Sequence, residues 1–280
     1  MIIDFHTHTF PDKMALQTVN LLKSKSGTVP YSDGTVGGLS QRAADAGVDL
    51  SVVLPVITNP ASTDKINEYA AKVCSDTANT HVLSLGGMHP DVEDYKSAIK
   101  RIYDLGLKGF KIHPAYQRTQ INDIKFKRII GYAQELGLIV ITHGGLDIGV
   151  AGDWCSPRAA AELCDDVKPE RLVIAHMGGW EMWQDVKKYL CGKPVYFDTS
   201  FSAVTFSYDA SFPDELQKPT LPREDFIDII KLHGANKILF GTDSPWGGQT
   251  EQLNFIKSLP LGDEEKDAIL GNNAAALLNL

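Results

Sequence analysis

The sequence predicts a single α/β domain over residues 1–280, built as a (β/α)8 TIM barrel with its chemically active groups at the carboxyl ends of the strands. Three observations predict it. Eight short β-rich apolar runs recur along the chain, amphipathic segments separate them, and six of the eight histidines stand at or just past the end of a run. A barrel of this kind is typically about 250 residues long, so one domain accommodates the whole chain.

The runs, in order, are "MIIDFH", "DLSVVLPV", "VLSLGGMH", "LKGFKIHP", "LIVITHGG", "RLVIAHMGG", "PVYFDTS" and "KILFGTDSPW". Each is short and rich in β-branched residues, as expected of strands in a parallel sheet. Between them, "TDKINEYAAKVCSDTANT", "DVEDYKSAIKRIYDLG", "NDIKFKRIIGYAQELG" and "REDFIDIIKLHG" carry apolar residues at helical spacing. Several end in glycine, the usual helix stop. The tail "DEEKDAILGNNAAALLNL" reads as one last helix closing the barrel. An open doubly wound sheet is the structural alternative. It usually carries a glycine-rich phosphate loop after its first strand, where this chain has "HTHTFPDK". Two irregular stretches, 144–157 and 201–223, follow strands and are expected to form substrate loops or lids.

Charged residues make up 22% of the chain and hydrophobic ones 43%, ordinary globular values that rule against disorder. The formal charge of −8 and the lack of a basic cluster argue against nucleic-acid and anionic-membrane partners. Cys74, Cys155, Cys164 and Cys191 form no CxxC pair, so reduced thiols are expected. With no leader-like segment and no apolar run near the ~20 residues that span a bilayer, the expectation is a cytoplasmic protein. It is expected to act on a small molecule, alone or as a homo-oligomer.

In "DFHTH", strict strand alternation places Asp4, His6 and His8 on one face. The carboxyl ends of barrel strands meet at one rim, so His6, His8, His89, His113, His143 and His176 converge there, joined by Asp243 from "GTDSPW". Two histidines at period two, a third histidine and an aspartate suit a catalytic divalent ion. Zinc takes neutral imidazoles at about 2.0–2.1 Å and leaves a position for water. Manganese or iron accepts the same nitrogen and oxygen donors. Each histidine taken alone has an ordinary alternative, a strand-end ring bonded to a neighbouring carbonyl. For His89 and His113 that alternative is the stronger, with a substrate-facing position for His113.

These motifs together resemble the amidohydrolase superfamily, and within it the amidohydrolase-related branch of metal-dependent barrel enzymes. The matching elements are "DFHTH", "GFKIHP", "ITHGG", "IAHMGGW", "GTDSPW" and the closing "ILGNNAAALL", and they occur in order over nearly the whole chain. The resemblance implies that His6, His8 and His143 ligate the metal, and that Asp243 binds metal or water and shuttles a proton. It implies that His176 polarises water or substrate where one ion is bound, and ligates where two are. A second ion would need a bridge from the fourth strand, for which a carboxylated Lys111 is the candidate; one ion, zinc, is the expectation.

The reaction expected on this resemblance is attack of activated water on an amide, lactone or ester carbonyl of a small carboxylated molecule. Lys111, His113, Trp246 and Arg158 are the candidate substrate contacts, with Arg118, Tyr116, Trp154 and Trp180 as further candidates. Arg158 has an alternative partner in Glu162, one helical turn on. Rival readings are a non-oxidative decarboxylase of the same branch, a polymerase-and-histidinol-phosphatase type phosphoesterase, and a non-catalytic barrel that binds a metal or ligand.

Overall fold

The computed structural model describes residues 1–204, 206–218 and 220–280. The predicted stretch 201–223 therefore includes two residues, 205 and 219, that lie outside the described ones. The strand segments are β1 Ile3–Thr7, β2 Leu50–Val53, β3 Val82–Ser84, β4 Gly86–Gly87, β5 Gly109–Ile112, β6 Ile139–Thr142, β7 Leu172–Ile174, β8 Tyr196–Asp198 and β9 Ile238–Leu239. All pair in parallel, in the orders β1-β2-β3 and β4-β5-β6-β7-β8-β9.

The third predicted run is split into β3 and β4 at Leu85. The side chain of Asn67 bonds the backbone of Gly87 at both ends, donating to its oxygen at 3.1 Å and accepting from its nitrogen at 2.8 Å. One amide thereby takes over backbone pairing beside the split. The ring closes between β1 and the chain after β9. Phe5 N donates to Phe240 O at 2.8 Å, Asp243 N donates to His6 O at 2.8 Å, and Thr7 bridges Ser244.

The helices are α1 Asp12–Ser26, α2 Val36–Ala46, α3 Thr63–Cys74, α4 Thr77–Thr80, α5 Tyr95–Asp104, α6 Ile124–Glu135, α7 Pro157–Val167, α8 Trp183–Tyr189, α9 Arg223–His233, α10 Gln249–Ser258, α11 Asp263–Asp267 and α12 Asn273–Leu278. Asp94, Asp123 and Ser156 cap α5, α6 and α7 by accepting from first-turn backbone nitrogens. Helices α1, α2, α7, α8 and α10 are not among the quoted segments. In α1 only Ala15, Val19 and Ser26 are buried, while Met14, Leu16 and Leu21 face solvent, so the periodic signal is blurred.

The predicted tail helix is interrupted by a π turn at Ala268–Asn272. Gly271 lies against the chain start, where an added Cβ would stand 1.9 Å from the Met1 carbonyl oxygen. Beyond it, Ala274, Leu277 and Leu278 of α12 pack with Ile3, Leu50, Ile139 and Val173, sealing the end of the barrel opposite the histidines. No helix among the described residues is long and apolar enough to cross a membrane. The four cysteines are free.

Candidate metal centre

The register of β1 on β2 departs from strict alternation. Asp4 pairs Ser51 and Thr7 pairs Val53, so three steps on β1 oppose two on β2, and one residue is bulged out between them. This corrects the expectation that Asp4, His6 and His8 share a face. Ile3 and Phe5 point into the barrel. Asp4 points to α10, where its carboxylate accepts from Gln249 Nε2 at 2.8 Å, from Thr242 Oγ1 at 2.7 Å and from Thr242 N at 3.0 Å. Past the bulge, His6 and His8 turn into the mouth. Gly241 makes room for them, since a Cβ there would lie 2.9 Å from His6 Cβ.

Three ligand atoms meet in the mouth. His6 Nε2 lies 3.3 Å from His8 Nε2 and 3.1 Å from Asp243 Oδ1, and His8 Nε2 lies 3.2 Å from the same oxygen. A tetrahedral ion with bonds of about 2.0–2.1 Å holds its ligands about 3.3–3.4 Å apart, so the spacing fits one. The far nitrogen of each ring is already engaged: His6 Nδ1 lies 2.8 Å from Asp198 Oδ2, and His8 Nδ1 donates to Leu54 O at 2.9 Å. Carboxylate or carbonyl partners on the remote nitrogen are how metal-binding imidazoles are aimed.

The same device recurs in the next two histidines. His143 Nε2 donates to Leu146 O at 2.7 Å, and His176 Nδ1 lies 3.1 Å from Ser200 O, which leaves His143 Nδ1 and His176 Nε2 facing each other at 3.0 Å. Ligand atoms of His6, His176 and Asp243 lie within 4.8 Å of one another; those of His113, His143 and Asp147 form a second such group. The predicted ligand His143 is thus grouped with His113, and His176 stands nearer His6 and Asp243. His176 and Asp243 both adopt left-handed backbone, with φ of 61° and 63°. For residues with a Cβ this costs energy, and such strain gathers at functional sites.

The electrostatics call for a cation. Burial drives the imidazoles of His8, His113 and His176 below their ordinary value and that of His143 down to about 3, with the nearby Lys111 charge acting in the same direction on His143. Burial also opposes charge on Asp243, yet the His6 and His8 imidazoles outweigh it and hold the carboxyl well below the usual range. His6 goes the other way: burial and Lys111 depress it, but Asp198 and Asp243 raise it above 6.5. A proton on His6, between two carboxylates, is then the natural competitor of a metal ion. The donor set, all nitrogen and oxygen, fits a divalent cation.

Asp198 was not singled out in the sequence. It is fully buried and also accepts from the backbone nitrogens of His176 and Ser200, each at 3.1 Å, so one carboxylate ties three rim positions together. In "YFDTS" it reads as an ordinary polar strand end. Its partner His6 is 192 positions away.

Lys111, His113, Tyr116 and Trp246 line a cavity of about 1260 Å³ that opens on the histidines, as do Asp147 and Trp180. Lys111 Nζ and Trp180 Nε1 are buried with no hydrogen-bond partner among the described residues. Burial lowers Lys111 to about 8. His113 is sandwiched, stacked on Tyr116 at 4.1 Å and on His143 at 4.3 Å, with Nε2 3.7 Å from Asp147 Oδ2. Burial raises Asp147 to about 6.

Arg158 is a correction. It sits in the first turn of α7 with its side chain 72% exposed, 3.7 Å from Glu162, and it does not line the cavity. Arg118 and Trp154 also lie outside the cavity lining, Trp154 bonding its own loop at Ala151 O. His89 Nδ1 accepts from Asp91 N at 3.1 Å, a local turn contact away from the centre.

A family model described as "Amidohydrolase" matches residues 3–280. No curated protein matches the chain. Among solved structures, an uncharacterised TIM-barrel protein, Bb4693 from Bordetella bronchiseptica, is similar with a TM-score of 0.77 at 17% identity, covering 99% of this chain and 98% of its own. A dihydroxybenzoic acid decarboxylase from a Polaromonas species, with bound manganese and the inhibitor 2-nitroresorcinol, has a TM-score of 0.70 at 14% identity over 100% of this chain and 97% of its own. The 5-carboxyvanillate decarboxylase LigW from Sphingomonas paucimobilis has a TM-score of 0.66 at 15% identity over 100% of this chain and 99% of its own. At such identities the structural likeness carries the barrel fold, and the reaction is a separate question. The match over residues 3–280 carries the membership: this chain belongs to the amidohydrolase family, whose metal-dependent barrel architecture it shares.

Proposed function

We propose that this protein is a metal-dependent hydrolase in which water attacks the amide, lactone or ester carbonyl of a small carboxylated substrate. The observation that carries the reading is the triangle of His6 Nε2, His8 Nε2 and Asp243 Oδ1, with edges of 3.1, 3.2 and 3.3 Å, at the mouth of a cavity. His6, His8, Asp243 and His143 would hold one divalent ion, zinc in the first instance, with manganese or iron as the alternatives. Such an ion polarises a carbonyl oxygen and acidifies water.

The remaining chemistry belongs to side chains. Asp243 turns Oδ1 to the two imidazoles, which leaves Oδ2 to take the proton of the attacking water and pass it to the leaving group. His176 Nε2, once it carries a proton, would stabilise the oxygen that gains charge; with Nδ1 donating to Ser200 O, this requires the ring to take up a proton or change tautomer. Lys111, a buried cation with no hydrogen-bond partner among the described residues, is suited to a substrate carboxylate, and Tyr116 and Trp246 flank a planar group. One ion is proposed, and a second would need a bridging oxygen such as a carboxylated Lys111 would supply. A cytoplasmic location belongs to the same proposal, on the free cysteines.

Two measurements test it. Elemental analysis of single variants separates the neighbouring histidines: His143→Ala loses the metal, while His176→Ala keeps it and loses turnover, and the opposite pattern exchanges their roles. Product analysis in heavy-oxygen water identifies the reaction. Label appearing in a new carboxylate supports hydrolysis; release of carbon dioxide with an organic product that has lost one carboxylate and gained no label supports the second reading, a decarboxylase, which the LigW and Polaromonas likenesses favour.

A further inference from the structure

The cavity does not end at the histidines. Small-molecule pockets usually occupy about 300–1,000 Å³. This one measures about 1260 Å³, because it continues from the mouth as a cleft between α1 and α3. On α1 it is lined by Pro11, Met14, Thr18, Leu22 and Lys25, every third or fourth residue and therefore one face of the helix. On α3 it is lined by Ser62, Ile66, Tyr69, Val73 and Asp76 at the same spacing. At 1.5 Å per residue, Met14 to Lys25 gives the cleft a length of about 16 Å.

The α1 wall of the cleft is fixed along its buried face and at its end. Ala15 and Val19, on the adjacent face of α1, are buried. The end of α1 is tied to the chain after β8, where Thr28 bridges Tyr208, Val29 N donates to Ser207 O at 2.7 Å, and Lys23 Nζ lies 2.8 Å from Asp209. Leu22, Val36, Ile66 and Tyr69 are left only half-buried along it, an apolar surface that water covers at a cost. Lys13 and Lys25 on one wall and Lys65 and Lys72 on the other outnumber Asp12 and Asp76. On a chain of net charge −8 this is a local excess of positive charge.

We infer that the cleft between α1 and α3 binds the apolar body of an elongated anionic amphiphile, with its distal acidic group among the lysines and its reacting end at the histidines. Continuity with the catalytic mouth selects a small-molecule chain as the occupant, and the lysines select an anionic end. The placement of the reacting end rests on the proposed function; the binding of the chain does not.

The test is calorimetric titration of the 280-residue chain, as purified, with unbranched α,ω-dicarboxylates from succinate to dodecanedioate. Each methylene that enters the cleft is expected to tighten binding about three- to four-fold, so dodecanedioate should bind at least about a hundred-fold tighter than succinate. Ile66→Trp and Thr18→Trp, which fill the cleft from opposite walls, should flatten that dependence. Thr18 lies on a partly exposed helix face, so its variant tests the idea even if Ile66→Trp fails to fold. Lys25→Glu with Lys72→Glu should weaken dodecanedioate more than dodecanoate. A dissociation constant independent of chain length, or a length dependence that survives in both tryptophan variants, overturns the inference. The His6→Ala/His8→Ala double variant keeps the two proposals apart: it should keep the length dependence while losing metal, and loss of that dependence together with the metal would overturn the cleft as an independent binding arm.

Discussion

At the residue scale, the pivotal group is one the sequence did not advertise. Asp198 accepts from His6 Nδ1 and from the backbone of His176 and Ser200, so it sets both the tautomer of one imidazole and the position of another. Asp198→Asn keeps the volume but cannot accept all of those bonds. Metal affinity, measured by competition with a chromophoric chelator, is expected to fall about 10- to 100-fold, as for other groups that orient metal-binding histidines; unchanged affinity would remove Asp198 from the positioning role. Five of the six strand-end histidines and Asp243 were legible because a barrel brings strand ends to one rim, so position along the chain stands in for position in space; His89 was the exception, turned to its own loop. Asp198 was not, because its role depends on a partner brought near only by barrel closure. Arg158 misled for the converse reason. A cation after a strand suggests substrate, but helix phase alone decides whether it faces the mouth or solvent.

At the element scale, patterning identified the strands and missed their irregularities. The split at Leu85 depends on the side chain of Asn67, and the bulge in β1 depends on pairing with β2, neither of which has a periodic signature. Helix α1 escaped because its apolar residues do not share one buried face. His233, outside the rim, shows how elements are locked together. Its ring stacks on Phe197 of β8 at 3.8 Å, donates from Nε2 to Val195 O at 2.9 Å and accepts at Nδ1 from Gly192 N at 3.2 Å, joining α9 to the chain between α8 and β8. Burial lowers its pKa from 6.5 to about 4, partly offset by the bond to Val195 and reinforced by Lys237. The folded protein thus prefers the neutral ring. Its stabilisation is complete above 6.5 and is lost as pH falls from there through about 4, amounting to about 3 kcal/mol at ~1.36 kcal/mol per unit. Urea unfolding at stepped pH should show the wild type losing stability across that window more steeply than His233→Asn; equal slopes would contradict the assignment.

At the scale of the whole molecule, the candidate metal would join the end of β1 to the segment after β9 and to the end of β6. Its ligands therefore come from opposite ends of the chain. Chelation is expected to cost a few kcal/mol at saturating metal, which in a domain of this size lowers Tm by roughly 10 °C. Scanning calorimetry should show the loss reversed by zinc or manganese, and the His6→Ala/His8→Ala protein indifferent to chelator. The barrel itself was readable from the alternation of runs and helices, since every strand must be apolar on two faces and every helix on one. The pairing details belong to closure, which no local window contains.

The bulge in β1 also governs which kinds of sequence change the first strand can survive. Ile3 and Phe5 are held in the interior below the extra residue, and His6 and His8 face the mouth above it. Exchange of one apolar side chain for another leaves that phase alone. Only Phe5 and His6 lie between Asp4 and Thr7, so removal of one residue there deletes either an interior anchor or a ligand; without Phe5, His6 would fall into step with Ile3 and take the place of Phe5 in the interior, below the level at which its Nε2 meets His8 and Asp243. In a library that scores folding and metal content separately, this segment should tolerate many substitutions, whereas one-residue deletions should bind no ion.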